Sequence, residues 1–142
     1  MHTVAATGLA AAEMREMSFV EATVEALKEE MRRAPSIIYM GEGIGPRGGN
    51  FKQSKGLHAE FGDERVRDTP ISELGFTGIG IGAAMAGLHP VVDLMFADFI
   101  AEAMSQVVHQ AAKIHYISGG RIEVPLLALH GFGIKDRPLR SS

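Results

Sequence analysis

Short apolar segments alternate with helix-forming segments along this chain, and this alternation is the strongest constraint on its fold. The apolar segments lie at 37–40, 90–96 and 124–129, and a further short strand is predicted at 65–67. Segments that are apolar throughout are typical of strands covered on both faces, as in parallel sheets between helices. We therefore predict an α/β domain of three layers, in which helices cover both faces of a mostly parallel sheet.

The helical segments carry recognisable start and stop signals. Ser18 and Glu21 form a capping box at the start of the first helix, and Pro35 follows its end. Further helices are predicted, in chain order, at 51–61, 71–88 and 98–118. The second of these three contains Gly-Ile-Gly-Ile-Gly, an alternation that a strand would also show. The last has the clearest helical periodicity, and Gly119 is placed to end it.

Length and composition narrow the class of protein. The chain has 142 residues, the size of one ordinary domain, with 46% hydrophobic and 22% charged residues. A formal net charge of −3 does not favour nucleic acid as a partner, and no uninterrupted apolar stretch predicts a membrane span. The absence of cysteine excludes disulfides, thiolate metal sites and a cysteine nucleophile, and it agrees with a cytoplasmic location. The six histidines do not show the spacing of a metal site.

Two carboxylates and an aromatic residue follow the predicted strands, at the edge where parallel sheets bind ligands. Glu42 follows the first strand, Glu73 opens the third helix, and Phe99 follows the third strand. The residues after Glu73 offer no cation, so burial would favour its neutral form while the helix N-terminus would favour its charged form. A carboxyl group between these two influences is suited to exchange a proton with a heterocycle.

Each of these residues also has a purely structural interpretation. Glu73 would complement the helix dipole as an ordinary acid of the first turn, and Phe99 would belong to the core. Glu42 would be a solvated turn acid. Residues 78–83 match a loose dinucleotide-binding pattern, although no strand immediately precedes them. A small NAD-binding protein of the Rossmann type is therefore an alternative, and close packing of two helices at these small residues is another.

Several motifs in a fixed order point to one protein family. They include Asp68-Thr-Pro-Ile-Ser-Glu73, Leu94-Met-Phe-Ala-Asp-Phe99, Gln110-Ala-Ala-Lys113 and Tyr116-Ile-Ser-Gly-Gly120. The sequence from about Met14 to Leu129 resembles the β subunit of the E1 component of 2-oxo acid dehydrogenases, including the pyruvate, branched-chain and acetoin dehydrogenases. The matching part is the N-terminal pyrimidine-binding domain, so the resemblance implies a transketolase-like pyrimidine-binding fold.

The resemblance implies a cofactor and assigns roles to five residues. These enzymes use thiamine diphosphate, which an α and a β subunit hold between them, with Mg²⁺ held by the α subunit and not by this chain. Glu73 matches the glutamate that hydrogen-bonds a ring nitrogen of the aminopyrimidine and promotes ylide formation. Phe99 matches the aromatic residue that stacks on this ring, and Ile71 and Met95 match residues that line its pocket. Glu42 matches an acidic residue between paired active sites, with an implied role in proton relay.

The implied function is that of an E1 β subunit in oxidative decarboxylation of a 2-oxo acid, or of an acetoin dehydrogenase, with acyl transfer to lipoamide. The implied partners are the E1 α subunit, a second β subunit in a heterotetramer, and a lipoyl-bearing E2 acyltransferase.

Family members are longer, so we expect a fold that is incomplete at the C-terminus: a flexible leader at 1–13, the incomplete domain at 14–130 and a divergent tail at 131–142. The isolated chain is expected to be inactive. The alternative is a non-catalytic remnant or binding module that contacts the α subunit without supporting turnover.

Overall fold

The computed structural model describes residues 16–131, which contain five α-helices and four β-strands. The helices are α1 (Phe19–Arg33), α2 (Leu57–Phe61), α3 (Glu73–Met85), α4 (Ile100–Ser105) and α5 (Ala112–Ile117). The strands are β1 (Ile37–Gly41), β2 (Val66–Asp68), β3 (His89–Phe96) and β4 (Leu127–Gly131). Within this part of the chain, no helix is long and apolar enough to cross a membrane. The predicted leader at 1–13, and the predicted tail at 131–142 except its first residue, lie outside the described residues.

The four strands form one parallel sheet in the order β2-β1-β3-β4, which confirms the predicted sheet. Tyr39 of β1 pairs with Val66 of β2 on one side and with Val91 of β3 on the other. The chain therefore moves from β1 to one edge of the sheet and then continues on the opposite side of β1. Ligands of open parallel sheets bind beyond the carboxyl ends of the strands at such a change of direction.

Helices cover both faces of this sheet, which confirms the predicted three-layer α/β architecture. On one face, α1 and α2 pack through a buried cluster made of Leu27, Met31, Tyr39, Ile44, Leu57, Val66 and Val91. On the other face, α3 and α4 pack through a second cluster made of Ile38, Met40, Phe76, Val92, Leu94 and Ala103. Neighbouring residues of β1 belong to different clusters, because successive side chains of a strand point to opposite faces.

Two elements begin later than their sequence patterns predict. The helix predicted at 51–61 begins only at Leu57, because Gly56 has a φ of 79° and turns the chain immediately before it. The strand predicted at 124–129 begins only at Leu127, and Pro125, which has no N–H to donate to a neighbouring strand, stands just before it. The long connection between β1 and α2 is consequently a loop of turns rather than part of a helix.

The helix predicted at 98–118 begins later than predicted and is interrupted once. A 3-10 turn at Ala97–Phe99 precedes α4, and a π-helical turn at Gln106–Ala111 separates α4 from α5. The segment predicted at 71–88, whose glycines alternate as in a strand, is helical over the thirteen residues of α3. The remaining strand boundaries agree closely with the sequence pattern.

α3 approaches the sheet very closely at Gly80. A Cβ atom at this position would lie 2.7 Å from Cγ2 of Val92 and 3.3 Å from Cδ1 of Leu126. Val92 is completely buried, so its methyl group has little room to move away. Gly82 of the same helix is exposed, and a Cβ atom there would have no neighbour within 4 Å. Only the first of these two glycines is therefore required for helix–sheet packing.

The paired substitutions Gly80→Ala and Gly82→Ala should change the free energy of unfolding in opposite directions. Each gains up to about 1 kcal/mol from the higher helix propensity of alanine. Gly80→Ala also overpacks the core against Val92, which typically costs about 1–3 kcal/mol. We expect urea unfolding to show that Gly82→Ala is more stable than the unsubstituted chain and that Gly80→Ala is less stable. Equal changes in both variants would contradict the close contact with the sheet.

Candidate functional site

Three strand ends and one helix end meet at the carboxyl edge of the sheet. Glu42 follows β1, Thr69 follows β2, and the turn Ala97–Phe99 follows β3. Glu73 is the first residue of α3. Because β1 and β3 are neighbours in the sheet, two of the residues predicted from the sequence, Glu42 and Phe99, follow adjacent strands.

Glu73 lies in the first turn of α3. The N-cap residue Ser72 accepts a hydrogen bond from the Gly75 N–H at 3.3 Å, and this bond helps to begin the helix. The Glu73 side chain is half-buried, and within residues 16–131 it has neither a hydrogen bond nor an ion pair. A carboxylate is favoured at this end of a helix. Its oxygen atoms are therefore available to a ligand.

Glu42 carries a buried carboxylate oxygen without a partner. Its Oε1 atom is inaccessible to solvent and has no hydrogen-bond partner among the described residues. Burial raises the pKa of Glu42, and the negative charges of Glu73 and Asp93 raise this pKa further. A hydrogen bond from the Ser72 backbone N–H opposes the rise. Glu42 consequently keeps its proton to a higher pH than an ordinary glutamate does. Such a group is suited to hold a proton or to pass one on.

Glu42 and Glu73 are close enough for their charges to interact, and we call these two residues the glutamate pair. Thr69, whose N–H donates to the Gly41 carbonyl at 2.9 Å, adds a buried hydroxyl oxygen that likewise has no partner among the described residues. A buried polar atom without a hydrogen-bond partner destabilises the fold, unless a bound molecule provides that partner. A nitrogen heterocycle carries N–H donors, so the residues present fit an aminopyrimidine ring.

Phe99 stands at one end of a row of three phenylalanine rings, which we call the ring row. The ring centroids of Phe99 and Phe96 are 5.5 Å apart, and those of Phe96 and Phe51 are 5.1 Å apart. Both pairs are nearly perpendicular, an arrangement that is favourable for aromatic rings. Phe99 is half-buried, so part of its surface remains accessible to a planar ligand.

Ile71 and Met95, the other two residues predicted from the sequence, have very different surroundings. Ile71 lies just before α3, and 83% of its surface is exposed. Met95 is half-buried near the end of β3 and has a φ of 63°, in the left-handed region. The pairing between β3 and β4 shifts in register at this residue, between Asp93 and Phe96.

Met95 also lines a cavity of about 510 Å³ between the start of α1 and the ends of β3 and β4. Its lining residues include Gln53, Asp93 and His130, together with Phe19 and Phe51. The glutamate pair, Ile71 and Phe99 do not belong to this lining. The structure therefore brings Glu42 and Glu73 together, and it places Met95 in the wall of a cavity that contains neither of them.

Sequence reasoning missed Asp93, a residue of β3 that is only 4% exposed. Its carboxylate accepts hydrogen bonds from the Tyr39 O–H at 2.6 Å, the Gln53 side-chain N–H at 2.8 Å and the Met95 N–H at 2.8 Å. The available signal was a single carboxylate inside an otherwise apolar strand, because a buried charge requires donors. Within residues 16–131, no three His, Cys, Asp or Glu residues form a group that could hold a metal ion.

Comparison with known protein families identifies the domain. Residues 15–137 match the family model described as "Transketolase, pyrimidine binding domain". The chain belongs to this family. The pyrimidine-binding fold that the sequence resemblance implied is thereby confirmed.

Similar curated proteins are β subunits of dehydrogenases. The chain is 46% identical over 114 residues to a pyruvate dehydrogenase E1 component subunit beta of Chaetosphaeridium globosum, a match that covers 80% of this chain and 35% of that protein. It is 43% identical over 120 residues to the 2-oxoisovalerate dehydrogenase subunit beta of Bacillus subtilis (strain 168), covering 84% and 37% respectively. It is 49% identical over 113 residues to a mitochondrial pyruvate dehydrogenase E1 component subunit beta-1 of Oryza sativa subsp. japonica, covering 80% and 30%. The resemblance to E1 β subunits is confirmed, and the chain spans about a third of the length of these relatives.

Proposed function

We propose that this chain supplies the pyrimidine-binding part of the β subunit of a thiamine-diphosphate-dependent dehydrogenase E1 that acts on a 2-oxo acid or on acetoin. The observation that carries the proposal is the glutamate pair at the carboxyl edge of the sheet, where a buried Glu42 oxygen and the Glu73 carboxylate have no partner within residues 16–131. The pyrimidine-binding family and the names of the relatives support this assignment.

The chain's own residues would bind and orient the aminopyrimidine ring of the cofactor. Glu73 would form a hydrogen bond with a ring nitrogen, because its oxygen atoms are not used by other described residues. Phe99 would stack on the ring with its accessible surface, and Phe96 contacts Phe99 in a perpendicular arrangement. Ile71 would add an apolar contact at the edge of the ring. Met95 lines a cavity that contains none of the other four predicted residues, so its contact with the ring stays a prediction from the resemblance.

The glutamate pair would hold and move the proton that the reaction needs. Thiamine diphosphate, when bound, supplies the nucleophilic carbon and the electron sink for decarboxylation. Glu73 would exchange a proton with the ring nitrogen through its carboxylate. Glu42, whose pKa is raised mainly by burial and further by Glu73, would hold a proton beside Glu73. It would return this proton to Glu73 between turnovers.

Other proteins would complete the enzyme. An E1 α subunit would hold the remainder of the cofactor and its Mg²⁺, a second β subunit would complete the assembly, and a lipoyl-bearing E2 would accept the acyl group. The cytoplasmic location stays a prediction, and the name of the rice relative places that protein in mitochondria.

Complementation with an α subunit tests this proposal. The chain is mixed with the E1 α subunit of a 2-oxo acid dehydrogenase, and binding of thiamine diphosphate with Mg²⁺ is measured by isothermal titration calorimetry. We expect the mixture to bind the cofactor, and we expect the chain alone and the α subunit alone to bind much more weakly. The same titration with NAD should give no heat of binding.

Each other result has a defined meaning. Binding of the cofactor by the mixture without turnover of any 2-oxo acid or acetoin would favour the alternative, a module that contacts the α subunit but does not support catalysis. Tight binding by the chain alone would show that it does not need the α subunit. NAD binding, or no cofactor binding by the mixture, would reject the proposal.

A further inference from the structure

Asp93 connects three separate parts of the fold through one buried carboxylate. Its Oδ2 atom accepts hydrogen bonds from the Tyr39 O–H on β1 and from the Gln53 side-chain N–H in the loop after β1. Its Oδ1 atom accepts the Met95 N–H at the irregular end of β3. Asp93 itself is not one of the proposed cofactor contacts, so this network requires an explanation of its own.

The first branch of this network runs from Asp93 to Phe51. Gln53 uses both ends of its side-chain amide, donating from Nε2 to Asp93 at 2.8 Å and accepting the Phe51 N–H at its Oε1 atom at 2.9 Å. Loops are mobile unless their backbone groups are bonded to the core. Gln53 therefore fixes the backbone of Phe51 relative to a buried residue of the sheet.

The second branch runs from Asp93 to Phe96. Met95 has a φ of 63°, which residues other than glycine adopt only where the surrounding structure enforces it. The hydrogen bond from its N–H to Asp93 closes a tight turn over two residues and supplies this constraint. The turn shifts the pairing with β4 and determines the direction in which Phe96 leaves the strand.

Both branches end on neighbouring rings of the ring row. Phe51 and Phe96 are in contact at 5.1 Å, and Phe96 contacts Phe99 at 5.5 Å. We propose that Asp93 is a positioning residue, which sets the ring row through Gln53 on one side and Met95 on the other, and thereby sets the position of Phe99. The consequence for cofactor binding rests on the proposed function, whereas the positioning of the rings does not.

Nuclear Overhauser effects between phenylalanine rings in the 142-residue chain test this role. The unsubstituted chain should show contacts between Phe51 and Phe96 and between Phe96 and Phe99. Gln53→Leu cuts the first branch only, so we expect loss of the Phe51–Phe96 contact and retention of the Phe96–Phe99 contact. Asp93→Ala cuts both branches, and both contacts should be lost.

Two variants separate positioning from a general loss of stability. Asp93→Asn keeps a carbonyl oxygen that can accept the Met95 N–H, so it should retain the Phe96–Phe99 contact. Tyr39→Phe removes the remaining hydrogen bond to Asp93 but belongs to neither branch, so both ring contacts should persist. If Asp93→Ala does not fold, Gln53→Leu and Asp93→Asn still decide the question. Retention of the Phe51–Phe96 contact in Gln53→Leu, or of both contacts in folded Asp93→Ala, would overturn the proposal.

A binding measurement then tests the consequence for the cofactor. In the mixture with the α subunit, Asp93→Ala should raise the Kd for thiamine diphosphate about tenfold, which corresponds to the loss of a well-placed aromatic contact. Ring contacts that are lost without any change in this Kd would reject the link to Phe99. The ring contacts are measured without cofactor, so their result is independent of the proposed function. An unsubstituted mixture that fails to bind would reject that function alone.

Discussion

Glu73→Gln is expected to lower the kcat of the assembled enzyme by about 100- to 10,000-fold, the range seen when a group that transfers protons is removed. Glutamine keeps the length of the side chain and can still hydrogen-bond to a ring nitrogen, but it cannot exchange a proton. The Kd for thiamine diphosphate should therefore change much less than kcat. Steady-state kinetics and calorimetric titration of the mixture with the α subunit measure the two quantities.

Glu64→Gln is the matched control for this substitution. Glu64 is exposed between α2 and β2, away from the glutamate pair, and its loss should leave kcat unchanged. A second readout needs no cofactor: because the charge of Glu73 raises the pKa of Glu42, Glu73→Gln should move the Glu42 carboxyl titration to lower pH in ¹³C NMR. A titration that does not move would contradict the proximity of the pair. A titration that moves while kcat stays unchanged would reject the proton-transfer role.

Tyr39→Phe is expected to keep its stability in alkaline solution, where the unsubstituted chain should become less stable. Burial raises the pKa of the Tyr39 phenol well above its usual value, and the neighbouring Asp93 raises it further. Above about pH 10 the unfolded chain loses this proton while the folded chain keeps it, so unfolding becomes more favourable. The stabilisation is complete below about pH 10 and is lost by about 1.4 kcal/mol for each pH unit above it.

At neutral pH the same substitution acts differently. It removes the hydrogen bond to the buried Asp93 carboxylate, which should cost about 1–3 kcal/mol. The free energies of unfolding of Tyr39→Phe and of the unsubstituted chain should therefore differ most near neutral pH and converge as the pH rises above about 10. Urea unfolding across this range measures the difference directly.

Tyr116→Phe provides the comparison, because Tyr116 is 88% exposed and lies in α5, far from this network in the chain. Its effect on stability should be small at all pH values. If the alkaline loss of stability is equally steep in Tyr39→Phe and in the unsubstituted chain, the phenol of Tyr39 is not its source.

The layer architecture could be predicted from local pattern alone. A segment without charged residues, such as 37–40, avoids water only when helices cover both of its faces, and this requirement already specifies a sheet between two helix layers. The direction of parallel strands then places Glu42 and Phe99 at one edge without knowledge of any long-range contact. The physical rules involved act within a few residues of the chain.

The features that could not be predicted depend on contacts between distant residues. Asp93 meets Tyr39 and Gln53 across sequence separations of 54 and 40 residues, and a single sequence contains no local sign of either contact. Methionine has no preference for the left-handed region, so the turn at Met95 follows from this network and not from its own residue type. The π-helical turn at Gln106–Ala111 is likewise not predicted from the sequence, whose periodicity there is that of one continuous α-helix.

The close approach of α3 to the sheet has a consequence for the precision of the site. Glu73 and Gly80 are separated by about two turns of the helix and therefore lie on the same side of it. Gly80 is the point at which this side meets Val92, so the rotation and depth of the helix at that contact also determine the position of the Glu73 carboxylate. A regular helix transmits a displacement along its axis with little loss. The accuracy with which the Glu73 carboxylate can be placed against a bound ring therefore depends on packing in the apolar core, where residue 80 has no methyl group.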